Sequence, residues 1–491
     1  MIYDRSRLFQ PIFLEKAAKK SMLKIFNTLS KKQEDFKPLK KKEVTFYQCG
    51  PTVYWIQHLG NMRAMVLADL IRRSLAYLGY KVKFARNYTD VGHLTSDEDE
   101  GEDKMIKAAR REGLTPKQIA DKYIAQFEAD VADLNCLPPD YKPRATEYIK
   151  QMQKMVQVFL DKDYAYVTDL AIYFDIAKAR DYTRLSGQKL EENQAEAGKG
   201  EVGDPGKRNS ADFAVWFFKA GAHENALQTW PYKFRVQGKT IKGEGFPGWH
   251  LECSAMNYKI FGPTIDLHMG GIEHVPVHHT NEIAQSEAFS GQKFVDYWLH
   301  NEHLNVDGGK MSKSDGTAYS VTDIKAKGYD PLVLRYFFLG AHYRSKQNFT
   351  WEALDAAQSA LNNLRLQLLS FRPNQPDGGR TEELFKNKFI AALEDDFNIP
   401  QALALVWEIL KADLPDAEKY ATIIDFDQVL GLNLSQLRAE EIPAEIKTLA
   451  EARWQARQTK NWAESDRLRD ELLQAGWQME DSKDDYKLKK I

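Results

Sequence analysis

Cysteine is scarce in this chain: Cys49, Cys136 and Cys253 are the only three among 491 residues. Three scattered thiols cannot build a disulfide scaffold, and such scarcity fits a reducing compartment such as the cytosol. Long apolar runs are lacking too. None approaches the ~20 residues that span a bilayer, so no membrane contact is expected. The stretch Met1–Ser21 carries interspersed charges and lacks the apolar core of a secretory signal. Net charge is almost absent, −2 from 68 Lys and Arg against 70 Asp and Glu. No global basic field announces nucleic acid, so any RNA surface must be a local patch. No repeat of fixed period occurs. What remains is an ordinary soluble composition, 43% hydrophobic, long enough for about three domains.

Two short motifs carry most of the chemical information. Lys310-Met311-Ser312-Lys313-Ser314 lies between Asp307-Gly308-Gly309 and Asp315-Gly316. Glycines let the backbone approach a ligand closely, and two lysines three apart can neutralise charge on a polyphosphate as a bond to phosphorus breaks. Alone, five such residues also suit a solvated surface loop. The second motif, His58-Leu59-Gly60-Asn61, makes that less attractive. Val44–Cys49 reads as a strand ended by Gly50-Pro51. Met62, Met65, Val66, Leu70, Ile71, Leu75 and Leu78 then recur at helical spacing, with Gly79 as C-cap. Lys81–Arg86 reads as a second strand. Strand, helix and strand predict a parallel pair with a right-handed crossover. His58 and Asn61 then sit at the helix N-terminus, outside the carboxyl end of the first strand, where phosphate binds.

His278 and Glu282 are four apart at the start of a predicted helix, so they share one face. Cys253 lies 25 residues upstream and Cys49 ends the first strand. Two thiolates, an imidazole and a carboxylate form a possible Zn²⁺ set. The spacing alone leaves the alternatives open, because buried free cysteines commonly act as small hydrophobes and adjacent His278 and His279 suit a capping pair.

The pairing of His-Leu-Gly-Asn with Lys-Met-Ser-Lys-Ser about 250 residues later resembles the two signatures of class I aminoacyl-tRNA synthetases. The usual first signature ends in a second histidine. Asn61 replaces it here, and asparagine can donate a hydrogen bond but never carry a charge. Further segments narrow the resemblance to cysteinyl-tRNA synthetases: Cys49-Gly50-Pro51-Thr52-Val53-Tyr54, Asp212-Phe213-Ala214-Val215-Trp216, Gly248 to Met256, His278 to Glu282, and His342-Tyr343-Arg344-Ser345. The resemblance begins at Met22, runs to the C-terminal region, and leaves residues 1–21 as an extension or a mis-set start.

That resemblance implies a set of roles. Cys49, Cys253, His278 and Glu282 would hold one Zn²⁺ per chain that binds the substrate thiol. Thr52, Thr89 and Trp249 would line the cysteine pocket. His58, Asn61, Gly270, Gly271, Lys310 and Lys313 would bind ATP with Mg²⁺, with His58, Asn61, Lys310 and Lys313 also serving catalysis. Met269 and Glu273 depart from the family's usual adenosine loop. Tension attends the metal: four protein ligands usually mark a closed structural site, so a substrate role needs a fifth position or a loose ligand. Lys104 and Lys107, a pair linked to persulfide chemistry in related enzymes, read here as exposed helical lysines.

The implied fold is α/β, a Rossmann-like parallel-sheet catalytic domain with an inserted connective domain, then a C-terminal helical bundle and a small anticodon-binding region. Expected boundaries are 22–138 and 245–298 for the catalytic halves, 139–244 for the insertion, 299–345 for the lysine loop and stem-contact region, 346–440 for the tRNA-binding bundle and 441–491 for the anticodon region. Within the last of these, Arg453, Arg457, Lys460, Arg467 and Arg469 are expected to present basic faces, and residues 481–491 to lack structure. The implied activity is ligation of L-cysteine to tRNA(Cys) with ATP, by a monomer. Two rivals stand beside it: a cysteine ligase acting on an amino sugar, and a non-catalytic RNA-binding paralogue.

Overall fold

A computed structural model describes residues 22–92, 104–188, 204–310, 317–371, 379–438, 443–481 and 486–490. The extension 1–21 and the lysine-loop residues 311–316 with Lys313 lie outside the described residues. Lys310 is described by its backbone alone. Two compact units result, residues 1–435 and 436–491.

The larger unit is organised around a four-stranded parallel sheet. Glu43–Gln48 pairs in register with Lys81–Arg86 on one side and with Ile265–Gly271 on the other, and Val295–Asn301 adds to the far edge. The first strand is thus central, and the chain turns from one side of it to the other. In open α/β sheets the crevice at such a reversal, outside the carboxyl ends of the strands, is where ligands bind. Cys49 and the Gly270–Gly271 pair flank that crevice. The helix Leu59–Tyr77 forms the crossover between the first two strands. Met62, Met65, Val66, Leu70, Ile71 and Leu75 of the expected apolar stripe are buried. Gly79, at φ 88°, sits just past the C-cap. The bonds Gly79 N–H to Ala76 O and Tyr80 N–H to Leu75 O complete a left-handed helix stop.

The insertion is a five-stranded antiparallel sheet, whose central strand Phe213–Phe218 pairs with Ala171–Phe174 and Lys239–Pro247. Its apolar face shares one core with helices Trp249–Phe261 and His278–Ser290: Phe213, Val215 and Trp216 pack in the same cluster as Leu251, Ala255, Met256, Ala284 and Ala288. Helices follow from Pro331 onward. In Trp351–Phe371, Leu354, Leu361, Leu364 and Leu368 are buried, the face expected from their spacing. No described helix is long and apolar enough to cross a membrane.

The smaller unit contains helices Ala444–Gln458 and Trp462–Gln474 and a hairpin, Trp477–Asp481 antiparallel to Tyr486–Lys490. The expectation of an unstructured end is corrected: Trp477 and Met479 are buried with Ile446, Ala450 and Leu472, and that apolar burial holds the strand. The expected basic faces are corrected at the four arginines. Arg453 is buried and forks onto both oxygens of Asp481, and Arg457 joins it at 2.9 Å. Arg467 pairs with Glu464 and Glu471, and Arg469 with Asp466 and Asp470. Carboxylates one, three or four residues away on the same helix take up the charge of those two arginines.

Candidate active site and metal centre

The N-terminus of helix Leu59–Tyr77 is built by His58. It is the N-cap, and its Nδ1 accepts the Asn61 backbone N–H at 3.3 Å. That bond places the ring proton on Nε2. One turn on, buried Arg63 donates to Glu302 O at 2.5 Å, Ser345 O at 2.9 Å and Gln347 Oε1 at 3.0 Å. Those acceptors flank the parallel pair Leu304–Val306 and Gln347–Phe349, and the former continues into the short hairpin that carries Lys310. Leu59 N–H donates to Tyr319 O at 2.8 Å. Both described ends of the lysine loop are therefore tied to the helix bearing His58.

The end of the first strand and the helices Trp249–Phe261 and His278–Ser290 bring four side chains together. Cys49, Cys253, His278 and Glu282 are all buried, and their ligand atoms lie within 4.8 Å of one another. Cys49 Sγ is 4.0 Å from Cys253 Sγ and 3.6 Å from Glu282 Oε1. His278 Nε2 is 3.0 Å from the same Glu282 oxygen. A tetrahedron with metal–sulfur bonds of about 2.3 Å and metal–nitrogen or oxygen bonds of about 2.0–2.1 Å has edges of roughly 3.3–3.8 Å. The donor set and its spacing fit Zn²⁺. Electrostatics point the same way. Burial pushes the Cys49 thiol well above its usual range, whereas hydrogen bonding from Cys49 lowers Cys253. Burial opposes charge on His278, yet its bonds to Cys253 and Glu282 win and raise it to about 10. Burial also works against the Glu282 carboxylate, and the neighbouring His268 and His278 more than offset it, holding the group low. The pocket thus favours the anionic forms of Cys253 and Glu282, while Cys49 stays a thiol until a cation displaces its proton.

Of the residues expected around the substrate, Thr52 and Thr89 meet each other and Trp249 meets His278. Thr52 and Thr89 form an isolated parallel bridge, with Thr89 N–H to Pro51 O and Val53 N–H to Thr89 O both 3.1 Å. Trp249 opens the helix bearing Cys253, and its ring lies 4.5 Å from that of His278. Gly50 packs so closely on Asn87 that a Cβ would meet its carbonyl oxygen at 1.7 Å. Gly270, the penultimate residue of its strand, packs against the histidines, where a Cβ would fall 2.5 Å from His279 Cε1 and 2.7 Å from His274 Nδ1. Gly270→Ala is expected to destabilise by about 1–3 kcal/mol, read as a lower urea midpoint. Lys107, by contrast, is an exposed helical lysine, as expected.

Sequence reasoning missed a layer of histidines behind the carboxylate. His268 Nε2 contacts Glu282 Oε2 at 2.9 Å, and His279 lies 3.3 Å from Cys49 Sγ. His279 in turn meets His300 at 2.7 Å, and His300 meets Thr28 Oγ1 at 2.8 Å. Cys49, His268, His279 and Glu282 form a second group with metal-ligand spacing. The available signal was clustering: of eleven histidines in the chain, His250, His268, His274, His278, His279, His300 and His303 fall within one stretch.

Comparison with known proteins matches this architecture. A family model described as the tRNA synthetases class I (C) catalytic domain covers residues 35–359, and a DALR domain model covers 388–412. Cysteine–tRNA ligase 1 of Burkholderia lata is 42% identical over 469 residues, 95% of this chain and 96% of that protein. The cysteine–tRNA ligase of Opitutus terrae is 41% identical over 479 residues, 95% of this chain and 98% of its own. Among solved structures, an Agrobacterium radiobacter K84 LeuRS in a LeuRS-tRNA-LeuAMS complex superposes with a TM-score of 0.55 at 12% identity, over 82% of this chain and 86% of that one. Mycobacterium tuberculosis methionyl-tRNA synthetase with methionyl-adenylate gives 0.51 at 14% identity, over 81% and 91%. At such identities the structural likeness speaks for the fold, and the sequence matches speak for the family. The chain belongs to the cysteinyl-tRNA synthetase family of class I aminoacyl-tRNA synthetases.

Proposed function

We propose that this protein is a cysteine–tRNA ligase, activating L-cysteine with ATP and passing it to the 3′ end of tRNA(Cys). The observation that carries this reading is the placement of a buried Cys49, Cys253, His278 and Glu282 set at the sheet's crevice, beside a helix N-terminus capped by His58. Zn²⁺ held by those four residues would bind the thiol of cysteine and give it a bond that serine's hydroxyl cannot match. Trp249, Thr52 and Thr89 surround the amino acid. Gly270 and Gly271 offer the adenosine a backbone edge without side chains. His58 Nε2 and the helix N-terminus hold oxygens of the α-phosphate, with the Asn61 amide as a second, uncharged donor. The cysteine carboxylate then attacks the α-phosphorus and pyrophosphate departs. Lys310 and Lys313, with Mg²⁺, neutralise the leaving group. Next, a hydroxyl of the terminal ribose attacks the activated carbonyl and AMP leaves.

ATP–pyrophosphate exchange tests the reading. Exchange is expected with cysteine at least ~10³-fold above serine, since a site built around one specific bond rejects the analogue lacking it. Charging is expected with tRNA and not with amino sugars. Equal exchange with serine, or none with cysteine, overturns the reading. Lys313→Ala is expected to slow exchange by roughly 10²–10³-fold, and an unchanged rate removes the lysine from this role.

A further inference from the structure

Helices Trp249–Phe261 and His278–Ser290 lie side by side. At their N-terminal ends His250 Nδ1 meets His278 Nδ1 at 2.9 Å. At the other end the rings of Tyr258 and Phe289 meet edge-on at 4.8 Å. Helical periodicity places Cys253, Ser254 and Asn257 of one helix opposite Asn281, Glu282, Gln285 and Ser286 of the other. Such a seam between packed helices is normally apolar. Here Asn257, Asn281 and Gln285 are fully buried and Ser286 is 2% exposed. Both amide atoms of Asn257, both of Gln285, Asn281 Nδ2 and Ser286 Oγ have no hydrogen-bond partner. Asn281 Oδ1 alone is satisfied, by the Tyr182 hydroxyl. Buried polar groups in folded proteins are almost always bonded, to protein or to internal water.

We propose that ordered water occupies this seam and forms a short relay. It would carry the proton given up by the substrate thiol from the level of Cys253 and Glu282 out to solvent beside Tyr258. The inference rests on the function proposed above. A free cysteine thiol arrives largely protonated at neutral pH and binds a divalent cation as thiolate. The S–H bond breaks, its electron pair stays on sulfur and forms the bond to the cation, and the proton passes to water and then to buffer. The four ligands are buried, and the polar seam offers that proton a route that stays open when the substrate fills the crevice. From Cys253 to Asn257 the helix rises about 6 Å, a span that one or two bonded waters bridge. Tyr258, one residue on, is 36% exposed. Neutral amides and a hydroxyl suit a relay, because each offers both a donor and an acceptor without trapping charge. The competing chain runs from His279 to His300 to Thr28.

The test uses the full chain loaded with zinc. A high-resolution crystal structure of the wild type is expected to show water bonded to Asn257 and Gln285. Stopped-flow mixing with cysteine, read by a pH-indicator dye in weak buffer, is expected to release about one proton per site. In the Asn257→Leu, Gln285→Met double variant the same proton is expected at least ~10-fold more slowly, with cysteine affinity unchanged. Ser286→Ala, a smaller change, is expected to slow it less. A waterless seam with the two amides bonded to each other overturns the relay, and so does unaltered release in the variants. Slowing by His300→Asn in their place overturns it in favour of the histidine chain. Cysteine binding without proton release sinks the relay alone, whereas absence of cysteine binding sinks the function on which it rests.

Discussion

Asp69→Ala is expected to cost about 3–5 kcal/mol of stability, because it strands a buried guanidinium. Asp69 sits in the middle of the helix that carries His58 at its start. Its Oδ2 accepts Arg335 Nη2 and Arg73 Nε, each at 2.8 Å, and its Oδ1 accepts the Leu137 backbone N–H at 2.8 Å. Arg335 has no exposed surface and also donates to Leu430 O at 2.7 Å and Leu134 O at 2.9 Å. Carbonyls can solvate the guanidinium but cannot balance its charge. Urea denaturation of the variant checks the loss. Asp69→Asn preserves the shape and one acceptor, so its cost should fall between wild type and alanine. A Leu, Met replacement of Asp69 and Arg335 together should recover much of the loss, since buried pairs exchanged for apolar groups are often near neutral. A loss under about 1 kcal/mol for Asp69→Ala would show that water or Arg335 movement compensates, and the junction would not be the buried ion pair described.

That junction also shows where sequence reading stops. Leu59–Tyr77 is legible because one face is apolar at helical spacing and Gly79 supplies the left-handed stop. The helix His278–Ser290 is different. Ten of its thirteen residues are buried, and most are polar, so it has no amphipathic period to detect. His278 and Glu282 were found through their four-residue spacing, while His268 and His300, on separate strands, have no local pattern linking them to the carboxylate. The approach of Cys253 to Cys49 depends on strand order: Ile265–Gly271 inserts beside Glu43–Gln48, and no motif in the sequence states that pairing. The paired arginines of the last helices show the reverse error. A count of basic residues foretells a face only when no carboxylate lies within reach, and Glu464, Asp466, Asp470, Glu471 and Asp481 all do.

The largest effect on activity is expected at the metal centre, where the two overlapping donor groups make opposite predictions. Cys49 and Glu282 belong to both. Cys253 and His278 complete one, His268 and His279 the other. The first group is favoured on chemical grounds. It offers two sulfurs to a borderline-soft ion rather than one, and the Trp249 ring lies tilted against His278 beside it. In the second, His268 already contacts the outer oxygen of Glu282, the position of a side chain that orients a ligand. His279 is held through its other nitrogen by His300. Cys253→Ala and His278→Ala are therefore expected to drop bound zinc from about one per chain to less than about a tenth, measured by metal analysis after dialysis. Cysteine-dependent exchange should fall by at least ~10³-fold while ATP binding stays near wild type. His268→Asn should retain metal at saturation with affinity weakened by about 10–100-fold. If His268→Asn empties the site and His278→Ala leaves it loaded, the ion resides among Cys49, His268, His279 and Glu282. Trp249 would then face a bare imidazole, and the thiol pocket would have to be moved one layer deeper, beneath Gly270.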